Sequence, residues 1–235
     1  MVDGVPCDNV EAEVRGRERP ADIVVVGAHY DSLAFTSGAD DNASGVAALL
    51  ALARAFAGAH PRTTLRFVAF ANEEPPYFGR ETMGSLVYAR ELKARGDDVV
   101  AMLSLESIGY FSQARGSQRY PGIVSTLYPD RGDFVAFVGD TGSRALVRDS
   151  IRTFRATAHV ASEGGALPAA IPGVDWSDHR AFRAVGYPAI MVTDTATFRN
   201  PNYHKFSDAV DTVDYAELAR VTAGVEDVVL MLANR

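Results

Sequence analysis

Residues 43–58 read ASGVAALLALARAFAG, and the chain on either side of them decides the architecture. Val46, Leu49, Leu50, Ala53 and Phe56 recur at the spacing of one helical face, and Gly58 supplies a stop. The runs that flank this helix are IVVVGAH (Ile23 to His29) and TLRFVAFA (Thr64 to Ala71), dense apolar stretches of the kind that form central strands. A strand, helix, strand unit places its two strands parallel, joined by a right-handed crossover.

The same alternation extends outward. NVEAEVRG alternates Val10, Ala12 and Val14 as a half-buried strand does. The pattern predicts a helix over 82–95, strands over 99–105 and 134–138, a helix over 144–156 and a strand over 189–193. The chain closes with DYAELARVTAGVEDVVLMLANR, where Asp214 and Glu217 are spaced as a capping pair for a long helix. No linker, repeat or low-complexity tract interrupts it, so residues 1–235 read as one domain. The expected fold is α/β, a three-layer αβα sandwich with a mixed, mainly parallel central sheet. Residues 111–133, rich in Gly, Ser, Arg and Tyr, are too long for a simple connector and are expected to shape a substrate cleft.

Composition narrows the function. With 235 residues, 47% hydrophobic and 23% charged, the chain can bury a full core. A net charge of -7 without a Lys/Arg cluster argues against nucleic acid as a partner. Cys7 is the single cysteine, which excludes an internal disulfide and a cysteine-rich zinc site. No apolar run reaches the ~18 residues of a membrane span, and the opening residues lack the layout of a secretory signal. As written, the chain is expected to be cytoplasmic; a secreted or periplasmic protein is the expectation if the amino terminus is truncated.

Sheets of this kind bind ligands at the carboxyl ends of their strands. FVAFANEEPPYF (Phe67 to Phe78) carries Glu73 and Glu74 side by side at such an end. Two adjacent carboxylates on an apolar rim repel each other and lose hydration unless a positive partner lies between them. The other strand ends offer His29 and Asp31 in IVVVGAHYDS and Glu106 in VVAMLSLES. Asp40 and Asp41 precede the first helix, and NPNYHKFSD contributes Tyr203 and His204. Oxygen and nitrogen donors without sulfur suit zinc in a catalytic rather than a structural site.

In this order and at these separations, GAHYDS, GADDNASG, ANEE, LSLESIGY and YHKFSD resemble the family twenty-eight metallopeptidases. These are cocatalytic dizinc aminopeptidases grouped with glutamate carboxypeptidases and glutaminyl cyclases. The resemblance implies a zinc-dependent exopeptidase, most simply an aminopeptidase acting on a peptide or aminoacyl substrate. It implies two zinc ions, with cobalt or manganese as substitutes. His29 and Glu106 would hold one ion, Glu74 and His204 the other, and Asp41 would bridge them. Glu73 would be the general base, Tyr203 a group that stabilises the oxyanion, and Asp31 the carboxylate that orients the His29 ring.

Glu106 departs from the family pattern, which usually has Asp there, and its extra methylene alters reach. Other positions have plainer readings. Asp40 reads as a solvent-facing or capping residue, and His60 and His159 as structural, the latter in a strand. Asp178 and His179 in DWSDHRAF fit either a helix start after Ser177 or a substrate cleft. Two rivals share the fold: a glutaminyl-cyclase-like aminoacyltransferase and a binding module without chemistry.

Overall fold

In the computed structural model, which describes residues 4–235 apart from the Ile123 side chain, seven strands form one sheet in the order β1-β3-β2-β4-β7-β5-β6. The strands are β1 (Val10–Val14), β2 (Arg19–His29), β3 (Thr63–Phe70), β4 (Asp98–Glu106), β5 (Phe134–Gly139), β6 (Ala161–Ala166) and β7 (Ala189–Thr193). Helix α1 (Gly45–Phe56) links β2 to β3, and the two strands are parallel, in register from Ile23 opposite Thr64 to His29 opposite Phe70. The remaining helices are α2 (Gly84–Arg95), α3 (Arg144–Thr157), α4 (His179–Ala184), α5 (Ala196–Arg199) and α6 (Tyr215–Ala233). Neighbours pair in parallel except β1 with β3 and β7 with β5.

The period-two alternation of a strand sends its side chains to both faces, and here both faces are covered. Val24, Val26 and Ala28 of β2 join Leu49, Leu52, Phe56, Phe154 and Val225 in one buried cluster beneath α1, α3 and α6. Ile23 and Val25 point the other way, into a cluster with Leu86, Leu92 and Phe182 from α2 and α4. This is the expected helix, sheet, helix layering. Asp214 caps α6 by accepting the amide hydrogens of Ala216 and Glu217, whereas the Glu217 side chain pairs with Arg220 instead of completing a capping box.

Because β3, β2, β4 and β7 run the same way, His29, Glu106, the segment after Phe70 and Asp194 emerge at one edge of the sheet. The connection between β2 and α1 is irregular: Asp41 and Asn42 leave helical geometry inside the turn Ala39–Ser44. Its close approach to β4 requires Gly45, where a Cβ would lie 2.3 Å from Asn42 Oδ1 and 2.7 Å from the Leu105 carbonyl oxygen. His159 lies in the irregular connection between α3 and β6 and not in a strand.

Candidate metal centre

Asp41 is the pivot. Its Oδ1 lies 3.3 Å from His29 Nε2 and its Oδ2 3.2 Å from His204 Nε2, so each oxygen faces a different imidazole. Glu106 Oε2 is 3.4 Å from His29 Nε2, and Glu74 Oε2 is 3.3 Å from His204 Nε2. Two sets of three donors result, His29 with Asp41 and Glu106, and Asp41 with Glu74 and His204, each with ligand atoms within 4.8 Å of one another. Tetrahedral zinc with bonds of about 2.0–2.1 Å separates its ligand atoms by about 3.3 Å. The donor spacing fits that ion, and the imidazoles in both sets disfavour calcium or magnesium. Glu73 Oε2 stands further off, 3.9 Å from His29 Nε2.

Each donor is held by the chain around it. The Asn42 side chain donates to the Leu105 carbonyl at 2.9 Å and accepts from the Ser107 amide at 3.0 Å, which fastens the turn bearing Asp41 to the end of β4. The Asp208 carboxylate accepts the amides of Asp40 and Asp41, the latter at 3.0 Å. Asp31 grips the end of β3, its two oxygens accepting the amides of Glu73 at 3.1 Å and Glu74 at 3.0 Å. The nearer partner of His29 Nδ1 is the Asp31 main-chain carbonyl, at 3.0 Å, with the carboxylate at 3.6 Å. Asp31 therefore orients the ring mainly through its backbone and spends its side chain on the glutamates.

Glu106 has supports of its own. The Ser177 hydroxyl donates to Glu106 Oε2 at 2.7 Å, and Ser107 donates to Oε1 at 3.3 Å. Ser177 thus serves Glu106, with no side-chain cap on α4. The longer acid reaches the site and is steadied there by hydroxyls. Among the described residues, Phe35, Asn72, Ser107, Thr195 and His204 are the non-glycine residues at positive φ. Asn72 precedes Glu73, Ser107 follows Glu106 and His204 is itself a donor, so backbone strain concentrates at this edge.

The electrostatics call for positive charge. Burial pushes Glu73 well above the usual glutamate range, an effect His29 opposes and Glu106, Asp178 and Glu74 reinforce. Glu106 rises for the same first reason. Burial would also raise Asp41, but hydrogen bonds and attraction from His204 and His29 bring it down to about 2. His204 is raised to about 9: burial opposes its charge, and hydrogen bonds to Asp41 and Glu74 win.

Of the two readings of Asp178 and His179, the helix start is the one seen, since Asp178 precedes α4 and His179 opens it, and the reading of Asp40 is corrected. Asp178 and His179 do not line the cleft described below, and both have 0% exposure. His179 Nε2 bonds the Val174 carbonyl at 2.8 Å, and burial lowers its pKa to about 4, which makes it a neutral core histidine. Asp178 is pushed up to about 7 by burial. Asp40 is neither exposed nor a cap: its carboxylate accepts from the Gly109 amide and the Asn200 side chain, each at 2.8 Å. Sequence reading missed Asn42, Asp208 and Ser177 as supports, although all three fall within the quoted motifs.

Beside Glu106 a largely apolar cleft of about 840 Å³, measured with its open mouth, extends over β7, β5 and β6. Phe134, Ala136, Val138 and Met191 come from the sheet; Tyr120, Val124 and Tyr128 come from the 111–133 segment. Tyr128 fixes that segment by donating to the Gly164 carbonyl at 2.9 Å. Tyr203 stands where the cleft meets the metal donors, its ring stacked on His204 at 3.9 Å between centroids. Burial, with Asp41 and Glu106 nearby, raises its pKa and keeps the phenol protonated.

An α/β sheet that gathers two imidazoles and several carboxylates on its carboxyl edge has the donors of a metalloenzyme centre, and the chain belongs to peptidase family M28, matched over residues 9–229. It is 42% identical to the uncharacterized protein YfbL of Escherichia coli strain K12, over 95% of this chain and 71% of that protein. It is 30% identical to a protein of Leptosphaeria maculans named a probable zinc metalloprotease, over 92% of this chain and 55% of that one. Among solved structures it resembles an aminopeptidase from Aneurinibacillus sp. strain AM-1, with a TM-score of 0.69 and 25% identity over 96% of this chain and 48% of that one. The chain thus spans about half the length of the last two.

Proposed function

We propose that the chain is a zinc aminopeptidase that removes bulky apolar residues from the amino termini of peptides. The observation that carries this reading is Asp41, with one oxygen turned to each of two imidazoles, so that two three-donor sets share a carboxylate beside the free acid of Glu73. Zinc held by His29, Asp41 and Glu106, and by Asp41, Glu74 and His204, would supply a water acidified toward neutrality and a Lewis acid for the scissile carbonyl. Cobalt or manganese suits the same donors.

The side chains divide the remaining work. Glu73, with its proton affinity raised by burial, takes a proton from the attacking water and passes it to the leaving amine. The Tyr203 hydroxyl, protonated at neutral pH, donates to the developing oxyanion. The cleft receives the side chain of the amino-terminal residue, and its apolar lining favours leucine or an aromatic residue over a charged one. Kinship with an aminopeptidase favours removal of a terminal residue over internal cleavage.

Glu73→Gln tests the mechanism. The variant is expected to keep two zinc ions per chain while hydrolysis of leucinamide falls at least ~100-fold; unchanged turnover removes Glu73 from the chemistry. One zinc per chain, with cyclisation of amino-terminal glutamine and no hydrolysis, would favour the cyclase. No chelator-sensitive activity on any aminoacyl substrate would favour a binding module.

A further inference from the structure

We infer that Phe35 and Phe206 form an apolar rim on the side of the centre opposite the cleft, and that the residue following the scissile bond packs on it. The inference rests on the aminopeptidase reading and adds a second specificity element to it.

Both rings are costly to the free protein. Phe35 is 95% exposed and Phe206 81%, so neither contributes to a core. Phe35 also has φ 66°, a left-handed backbone that a bulky residue rarely adopts. A large side chain that is both strained and solvated gains nothing from folding, and exposed apolar surface beside a polar centre is a mark of binding.

The loops that carry the rings are tied to the proposed ligands. The loop bearing Phe35 donates the Leu33 amide to Glu74 Oε1 at 3.1 Å. Two residues past Phe35, the Ser37 hydroxyl donates to the Phe206 carbonyl at 2.8 Å, which ties the two loops together. The Ala39 amide then bonds the Asp208 carbonyl at 3.0 Å, and the Asp208 carboxylate holds the Asp41 amide. Phe206 itself lies two residues beyond His204.

The sheet order gives the direction. The cleft covers β6, β5 and β7 and meets the centre at Glu106 on β4 and at Tyr203. Moving away from it come His29 at the end of β2, then Glu74 beyond β3, and on Glu74 the loop of Leu33 and Phe35. A peptide with its first side chain in the cleft and its scissile carbonyl over the centre must leave across Glu74 and His204. Its second residue then meets Phe35 and Phe206, and an apolar side chain there gains from covering them.

The test compares leucinamide, Leu-Gly and Leu-Phe on the zinc-loaded native protein and on a Phe35→Asn, Phe206→Ser double variant. Asn tolerates the left-handed backbone, so the fold is retained and thermal stability should not fall. The native protein is expected to prefer Leu-Phe to Leu-Gly about tenfold in kcat/KM, and the variant about twofold or less, with leucinamide hydrolysed equally by both. The same preference should appear without turnover, as a ratio of Kd values on the Glu73→Gln background. Equal selectivity in native and variant proteins overturns the inference, as does a change in sedimentation mass with selectivity intact, which would assign the rings to a contact between two copies. Failure of the native protein on all three substrates instead refutes the aminopeptidase reading, and the rim with it.

Discussion

Ser177 does more for Glu106 than its position before a helix suggests. Its hydroxyl lies 2.7 Å from Glu106 Oε2 and 2.7 Å from the Ser104 hydroxyl, and it is fully buried. A glutamate has one more rotatable bond than an aspartate, so an acid of this length needs an external hold to present a single oxygen to an ion. Ser177→Ala should weaken zinc binding about 10–100-fold at the set that contains Glu106 and less at the set that contains Glu74, read by titrating a chelator against the zinc-loaded protein. Zinc affinities unchanged from those of the native chain would show that Glu106 needs no such hold. The same reasoning explains what the sequence could and could not disclose at this scale. His29, Asp41, Glu73, Glu74, Glu106 and His204 could be singled out because few residue types offer a metal an oxygen or nitrogen donor, and the structure gathers five of them into two donor sets with Glu73 beside them. Ser177, Asn42 and Asp208 act through hydrogen bonds that many residue types make, and only their placement reveals them.

Helix α4 follows Ser177 and carries His179, which is buried and held neutral with a pKa near 4 against an ordinary value of 6.5. The unfolded chain therefore takes up a proton that the folded chain refuses between these values, and stability falls as pH drops from 6.5 toward 4. Measured without metal, the native protein should lose about 2 kcal/mol more than His179→Gln between pH 7 and pH 5 in denaturant melts. Identical pH slopes would mean that His179 protonates freely in the fold. Elements differed in how plainly they could be read. The long apolar runs of β2, β3, β4 and β7 announce themselves because both faces are buried. Strand β6 (ASEGGA) and the short helices α4 and α5 lack a periodic apolar signal; β6 is set by its parallel pairing with β5, and α4 by Ala181 and Phe182 packing in the core.

At the scale of the whole molecule, the centre is a joint product of distant segments. Its donors come from the end of β2, the turn before α1, the segment after β3, the end of β4 and the loop after α5. An ion that binds only the assembled protein stabilises it by mass action, about 2.7 kcal/mol at a hundredfold excess over Kd, or roughly 5–10 °C in a chain of this size. Since Asp41 belongs to both donor sets, an ion in one set would change the charge that a second ion meets in the other. No described helix is long and apolar enough to cross a membrane. The scatter of donors from His29 to His204 also bears on kinetics. No local fragment contains a complete set, so the ion finds its full site only after the long-range pairings of the sheet are made. Zinc should then slow unfolding and leave the refolding rate unchanged, because it binds on the native side of the folding barrier.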